Sequence, residues 1–311
     1  MSTVTNAYES KKIVIIGSGL MGCGIAQVFA SRNIQTVICD PIDESRNGAI
    51  DKIRTNLQMQ GIDDAPLAFV RVTADFVEEV GDADFVIEAA PEKLPLKQQI
   101  FADLVSSAAP HCILASNTSV IPIRDIAAGL DHADRIIGCH WWNPPYLLPL
   151  VEVVQSDRSS LASVEAMIDL LNFIGKKAIH VKKDVTGFVA NRMQHALWRE
   201  AIALINDGIC DAETIDVAVK NSFGLRLAVL GPIENADLVG LELTQDIHKV
   251  IFPELNADSE PASILQEKIA KGELGMKTGQ GLRSWTPEQA DQVRQDLISY
   301  LLQATQNPKD E

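Results

Sequence analysis

Residues 13–24 read Ile-Val-Ile-Ile-Gly-Ser-Gly-Leu-Met-Gly-Cys-Gly, and this stretch decides the fold. Ile13, Val14, Ile15 and Ile16 are consecutive β-branched residues, the composition of a strand buried on both faces. Gly17, Gly19 and Gly22 follow in the order GxGxxG, and Leu20, Ile25, Ala26 and Phe29 then recur at helical spacing. In a strand–turn–helix context the first glycine allows a sharp turn and the second lets a pyrophosphate approach the backbone. The third lets helix and strand pack closely. Leu20 and Met21 open the helix, whose N-terminal N–H groups and partial positive charge suit phosphate.

The next strand, 34–39, ends at Asp40. An acidic residue about 20 positions beyond the glycines accepts hydrogen bonds from an adenine ribose and repels a 2′-phosphate, which favours NAD over NADP. The plainer alternative is that Asp40 only begins the turn before Pro41. The predicted cofactor contacts are Gly17, Gly19, Leu20, Met21, Gly22 and Asp40, with NAD as the cofactor.

The rest of the composition narrows the class. A chain of 311 residues with 46% hydrophobic content has core enough for two domains or one large one. Its formal charge of −15 argues against nucleic acid and anionic membrane surfaces as partners. Cysteines at 23, 39, 112, 139 and 210 form no CxxC pair, so reduced thiols, a cytoplasmic setting and no metal site are expected. Residues 1–12 lack an apolar signal core, and 1–11 read as a loose leader. No apolar run reaches the length of a membrane span.

Along the chain, 42–59 reads as a polar helix, 60–66 as a loop, 69–73 as a short strand and 84–88 as a buried strand. A helix at 92–107, a strand at 112–115, a short helix at 122–128 and a strand at 135–140 follow. This alternation predicts a Rossmann-type doubly wound, mostly parallel sheet. Right-handed crossovers put the loops after successive strands on one edge, where ligands bind. Gly17, Asp40, 89–92, 116–119 and His140 fall on that edge. Three prolines exclude a regular helix from 141–149. A strand at 150–155 carries Glu152, and a helix at 160–173 and a strand at 177–181 complete the pattern. Beyond residue 184, the segments 188–206, 211–220, 234–250, 262–271 and 287–304 read as helices. Two domains are expected: 1–184, nucleotide-binding, and 185–311, all-helical, for substrate binding and dimerisation.

Four segments need a joint explanation: Ser116-Asn-Thr-Ser119, Gly138-Cys-His140-Trp-Trp-Asn143-Pro-Pro, Pro149-Leu-Val-Glu152-Val-Val and Gly187-Phe-Val-Ala-Asn191-Arg192. Together with Gly275-Met-Lys-Thr-Gly-Gln-Gly281 near the end, they resemble the 3-hydroxyacyl-CoA dehydrogenase family over nearly the whole chain. The resemblance implies that Ser119, His140, Glu152 and Asn191 are catalytic. It implies that Glu92, Lys97, Ser119 and Asn143 contact the cofactor on its nicotinamide side. Glu92 and Lys97 otherwise read as solvated charges on a helix, and Trp141 and Trp142 as packing beside the site.

The chemistry supports the resemblance. Oxidising a secondary alcohol needs a hydride acceptor, which NAD supplies, and a base whose pKa lies near the working pH, which histidine supplies. Glu152, on the next strand, can fix the tautomer of His140 and stabilise its imidazolium. Ser119 and Asn191 can hydrogen-bond the substrate oxygen. Taken singly, His140, Glu152 and Asn191 also suit structural or capping roles.

Two substrate classes stay open, a 3-hydroxyacyl-CoA and a free small hydroxy acid of a gulonate or carnitine kind. The region after Asp40 holds only Arg46, Lys52 and Arg54 among acids, where acyl-CoA-using relatives resemble one another in a lysine-rich arm. Residues 223–232 and 143–149 are more similar to the gulonate dehydrogenase/lambda-crystallin branch, which also admits a non-catalytic NAD-binding protein. Arg226, alone in an apolar run, is a candidate contact for a substrate carboxylate or a structural salt bridge. Phe188, Met193, Leu197, Ala201 and Leu204 form an apolar stripe suited to a homodimer interface or to an internal core.

Overall fold

The structure, a computed structural model, describes residues 8–306. Eight strands form one sheet: β1 (Lys12–Ile16), β2 (Gln35–Cys39), β3 (Val70–Thr73), β4 (Phe85–Glu88), β5 (Ile113–Ser116), β6 (Ile136–Trp141), β7 (Leu150–Val154) and β8 (Lys177–Val181). The helices between and after them are α1 (Leu20–Ala30), α2 (Asp43–Asn47), α3 (Ala49–Met59), α4 (Val77–Val80), α5 (Leu94–Ser107), α6 (Ile123–Ile126) and α7 (Leu161–Phe173). They continue with α8 (Ala190–Asn206), α9 (Ala212–Lys220), α10 (Phe223–Arg226), α11 (Pro232–Val239), α12 (Leu241–Ile251), α13 (Ser263–Ala270) and α14 (Pro287–Gln306).

The strand order is β3-β2-β1-β4-β5-β6-β7-β8. The first six strands pair in parallel, β7 runs antiparallel to β6, and β8 is parallel to β7. Successive strand residues face opposite sides. Ile13 and Ile15 therefore join one core with α1, α3 and α7, while Val14 and Ile16 join a second with α5 and α6. Covering both faces is what an unbroken apolar strand requires. β1 lies between β2 and β4, so the chain leaves it in opposite directions, and the crevice for ligands opens at its carboxyl end.

Several expectations are corrected. The polar helix at 42–59 is two helices divided at Gly48, and that at 234–250 is two divided at Gly240, whose φ is +99°. Of the supposed leader, 1–7 lie outside the described residues, and 8–11 are tied down. Tyr8 packs on Phe173 with centroids 5.2 Å apart, and the Lys11 ammonium donates to Asp84 at 2.7 Å. Phe188 does not belong to the α8 stripe. It precedes that helix at φ +50°, is 1% exposed, and packs in the second sheet-face core.

By internal contacts the chain divides into two units. One runs to Asn191 and includes the stretch from Ser299, and the other is Arg192–Ile298. The sheet unit holds both cores. In the helical unit α9 to α13 bury no residue, and the buried apolar side chains among its described residues are Ala203 and Ala290. All five cysteines are free, Cys23, Cys39, Cys112 and Cys139 buried and Cys210 half-buried. Burial pushes the Cys23 thiol up to about 11 and those of Cys39, Cys112 and Cys139 up to about 12. Among the described residues no helix is long and apolar enough to cross a membrane.

Candidate active site

The glycine turn is built by close approach. Gly17 has φ +105°, and a Cβ there would lie 2.7 Å from the Ala89 carbonyl oxygen. A Cβ on Gly22 would meet the Gly17 carbonyl oxygen at 1.9 Å, so only glycine lets α1 close onto the turn. A Cβ on Gly19 would meet nothing within 4 Å, and no side chain caps α1. The N–H groups of Leu20, Met21 and Gly22 thus lack intrahelical acceptors beside open space, which fits a pyrophosphate.

Asp40 sits at the end of β2, 8% exposed. Its Oδ2 accepts from the Ser18 N–H at 2.8 Å and the Ser18 hydroxyl at 2.7 Å, and its Oδ1 from the Ile42 N–H at 2.9 Å. Burial would raise its pKa, but these hydrogen bonds outweigh burial and hold it below the ordinary range. The carboxylate is therefore ionised where a ribose would lie. Lys52, on α3, donates to the Ser18 carbonyl at 3.1 Å, and Arg46 to the Asp40 carbonyl at 2.8 Å.

At the ends of β4 and β5 a buried charge network carries the Ser119 loop. Lys97 is 1% exposed, not a solvated helix charge. Its ammonium donates to the fully buried Glu88 at 2.7 and 2.9 Å and lies 3.3 Å from Glu92 Oε2. Glu88 also accepts from the Ser116 hydroxyl at 2.6 Å and the Ala90 N–H at 2.7 Å. Glu92 Oε1 accepts from the Thr118 hydroxyl at 2.6 Å and the N–H groups of Ser119 at 2.9 Å and Val120 at 3.1 Å. Burial raises the Glu92 pKa, yet these donors and Lys97 bring it below the ordinary value. The Asn191 amide donates to the Ser119 carbonyl at 3.2 Å, and the Ser119 hydroxyl has no partner among the described residues.

His140 and Glu152 are cross-strand partners on β6 and β7. His140 Nδ1 lies 2.8 Å from Glu152 Oε2, both groups buried. Glu152 Oε1 accepts from the N–H groups of Val189 at 2.9 Å and Ala190 at 3.1 Å. Burial disfavours the charged carboxylate, but His140 and these two amides reverse that and lower its pKa. An ionised Glu152 holds the proton on Nδ1 and leaves Nε2, without a protein partner among the described residues, as the basic nitrogen. Trp142 and Phe188 flank the ring at centroid distances of 5.5 and 5.7 Å.

Three residues were not legible as parts of this site. Glu88 read as the last residue of a buried strand, Asn117 as loop, and Ser18 as the variable position of the motif. The Asn117 side chain accepts the Trp141 N–H at 2.8 Å, joining the ends of β5 and β6. Asn143 stands in the loop after β6, exposed. Arg226, in the helical unit, is exposed and makes no side-chain ion pair or hydrogen bond among the described residues.

Comparison with known proteins gives the family. The chain matches the 3-hydroxyacyl-CoA dehydrogenase NAD-binding domain over 12–185 and the C-terminal domain of the same enzyme over 187–285. It is 34% identical over 298 residues to 5-formyl-3-hydroxy-2-methylpyridine 4-carboxylate 5-dehydrogenase of Mesorhizobium japonicum, covering 94% of this chain and 96% of the relative. A solved structure of a dehydrogenase of that name, described as an NAD+-dependent dismutase, superposes with a TM-score of 0.88 at 33% identity, covering 95% of this chain and 97% of that one. L-carnitine dehydrogenase of Pseudomonas aeruginosa is 36% identical over 77% of this chain and 75% of its own length. Human mitochondrial hydroxyacyl-coenzyme A dehydrogenase is 32% identical over 90% and 94%. Fold, glycine turn and relatives define an NAD-dependent oxidoreductase acting on CH–OH groups. The chain belongs to the 3-hydroxyacyl-CoA dehydrogenase family.

Proposed function

We propose that the protein oxidises the secondary alcohol of a free small hydroxy acid, with His140 as the base. The observation that carries the chemistry is the His140–Glu152 pair, which commits Nδ1 and leaves Nε2 as the proton acceptor. The α1 turn and Asp40 would hold NAD, which would supply the hydride acceptor. His140 Nε2 takes the hydroxyl proton, and ionised Glu152 stabilises the imidazolium that results. The Ser119 hydroxyl and the remaining Asn191 N–H are free to hydrogen-bond the substrate oxygen. Lys97, through Glu92, keeps the Ser119 loop in place, and Asn143 holds the nicotinamide side.

The substrate class rests on where the cations go. Arg46 is spent on the Asp40 carbonyl and Asp43, Lys52 on the Ser18 carbonyl, and Arg54 on Asp51 and Asp64. The two arginines are each paired with acids, which leaves Lys52 as the one cation of the three without a carboxylate among the described residues, thin charge for the phosphates of coenzyme A. The exposed Arg226 guanidinium suits a free carboxylate, and the relatives named for carnitine and a pyridine carboxylate point the same way. An acyl-CoA substrate is the second reading, favoured by the human relative.

A panel of 3-hydroxy acids followed by NADH absorbance, with free coenzyme A as competitor, separates the two. Turnover of a free acid, undisturbed by millimolar coenzyme A, supports the proposal, and turnover of 3-hydroxyacyl-CoA thioesters alone refutes it.

We also propose a homodimer. The helical unit buries almost no apolar side chain, while Met193, Leu197, Trp198, Leu241, Ile247 and Val250 are exposed. A second copy supplies the missing core. A monomer at micromolar concentration by light scattering would rule this out.

A further inference from the structure

Lys176 lies between α7 and β8, is 8% exposed, and has no carboxylate within ion-pair distance among the described residues. A buried ammonium without an acid is costly, so the groups that hold it matter. Its Nζ donates to the Pro145 carbonyl and, at 3.0 Å, to the Leu148 carbonyl. It also stands 5.5 Å from the centroid of the Trp141 ring, within cation–π range. Burial pushes its pKa down to about 8. Every one of these partners belongs to the segment that continues from His140.

The same segment is held from its other side. Gly24, on the cofactor helix α1, faces Pro145 so closely that a Cβ would lie 2.9 Å from its Cδ and 3.0 Å from its Cγ. Pro145 is thus seated with its ring on the helix that opens at the glycine turn and its carbonyl on the Lys176 ammonium. Trp142 and Asn143 occupy the stretch between this seat and His140. We propose that Lys176 is a positioning residue for the nicotinamide end of the cofactor: by gripping two carbonyls of the 142–149 loop against Gly24, it sets where Asn143 and Trp142 stand relative to His140. The inference rests on the reading of Asn143 given above.

Two ligands isolate the effect. NADH carries the nicotinamide, and ADP-ribose carries the adenine, both riboses and the pyrophosphate without it. In the full-length chain, Lys176→Met is expected to weaken NADH binding about tenfold and to leave ADP-ribose binding within about twofold, since only one end of the site is displaced. Gly24→Ala pushes the same loop from the opposite side and is expected to do likewise, and it decides the matter if Lys176→Met does not fold. Parallel losses for both ligands, or none, in the folded variants would overturn the proposal. Asn143→Ala tests the underlying reading separately. If it alters the NADH-to-ADP-ribose ratio and Lys176→Met does not, the tether is wrong and the reading stands. If Asn143→Ala leaves the ratio at the wild-type value, the reading fails and the proposal falls with it.

Discussion

His140 and Glu152 face each other across the one antiparallel junction of the sheet, in register, with the imidazole Nδ1 2.8 Å from the carboxylate. Because the pair is set by strand pairing, its geometry is as rigid as the ladder that carries it. Replacing His140 by Ala is expected to abolish turnover while NADH still binds. Glu152→Gln, which keeps the shape and loses the charge, is expected to lower kcat by about 10²–10⁴. Stopped-flow hydride transfer beside NADH fluorescence checks both, and full activity in Glu152→Gln would remove the carboxylate from the mechanism.

Asp40 predicts cofactor choice. An ionised carboxylate at the ribose excludes a 2′-phosphate, so Asp40→Ala is expected to weaken NAD binding about tenfold and narrow the preference over NADP. Comparing kcat/KM for the two cofactors tests this. An unchanged ratio would mean that Asp40 serves only the turn.

Lys97 predicts a stability effect. Lys97→Met strands the Glu88 carboxylate with no exposure to solvent, at an expected cost of about 3–5 kcal/mol. The double variant with Glu88→Gln removes both charges and is expected to recover much of that loss in a denaturant melt. If the two losses simply add, the pair is not coupled.

Acid should unfold the protein in a direction that can be stated. Asp40, Glu92 and Glu152 have folded pKa values below the ordinary 3.8, 4.5 and 4.5. The unfolded chain therefore binds protons first as pH drops. The stability these groups supply is complete above about pH 5 and is lost as pH falls through the folded values. Tm is expected to hold from about pH 7 to 5 and then decline, less steeply in Glu152→Gln than in wild type. A Tm that climbs on acidification would contradict the assignment.

The sheet unit was legible because buried β-branched runs and a glycine turn are local signals. The strands at 84–88 and 177–181, and the place of His140 and Glu152 on adjacent strands, could be read directly. What escaped was tertiary. Lys97 reads as an ordinary helix-surface residue and Lys176 as an ordinary loop residue until a buried Glu88 or two carbonyls are set against them. Phe188 fits the periodicity of α8 but sits before it at positive φ and turns into the other core. Gly48 and Gly240 each divide a stretch that the sequence reads as one helix.

The buried thiols give the fold an internal clock. Cys23, Cys39, Cys112 and Cys139 lie at the centre of the sheet unit with their ionisation suppressed by burial. Alkylating agents attack the thiolate, so these four sulfurs are silent in the closed molecule and labelled when the chain around them opens. Their modification rate therefore measures how often each layer of the sheet breathes, without any added probe, against the half-buried Cys210 as an internal standard.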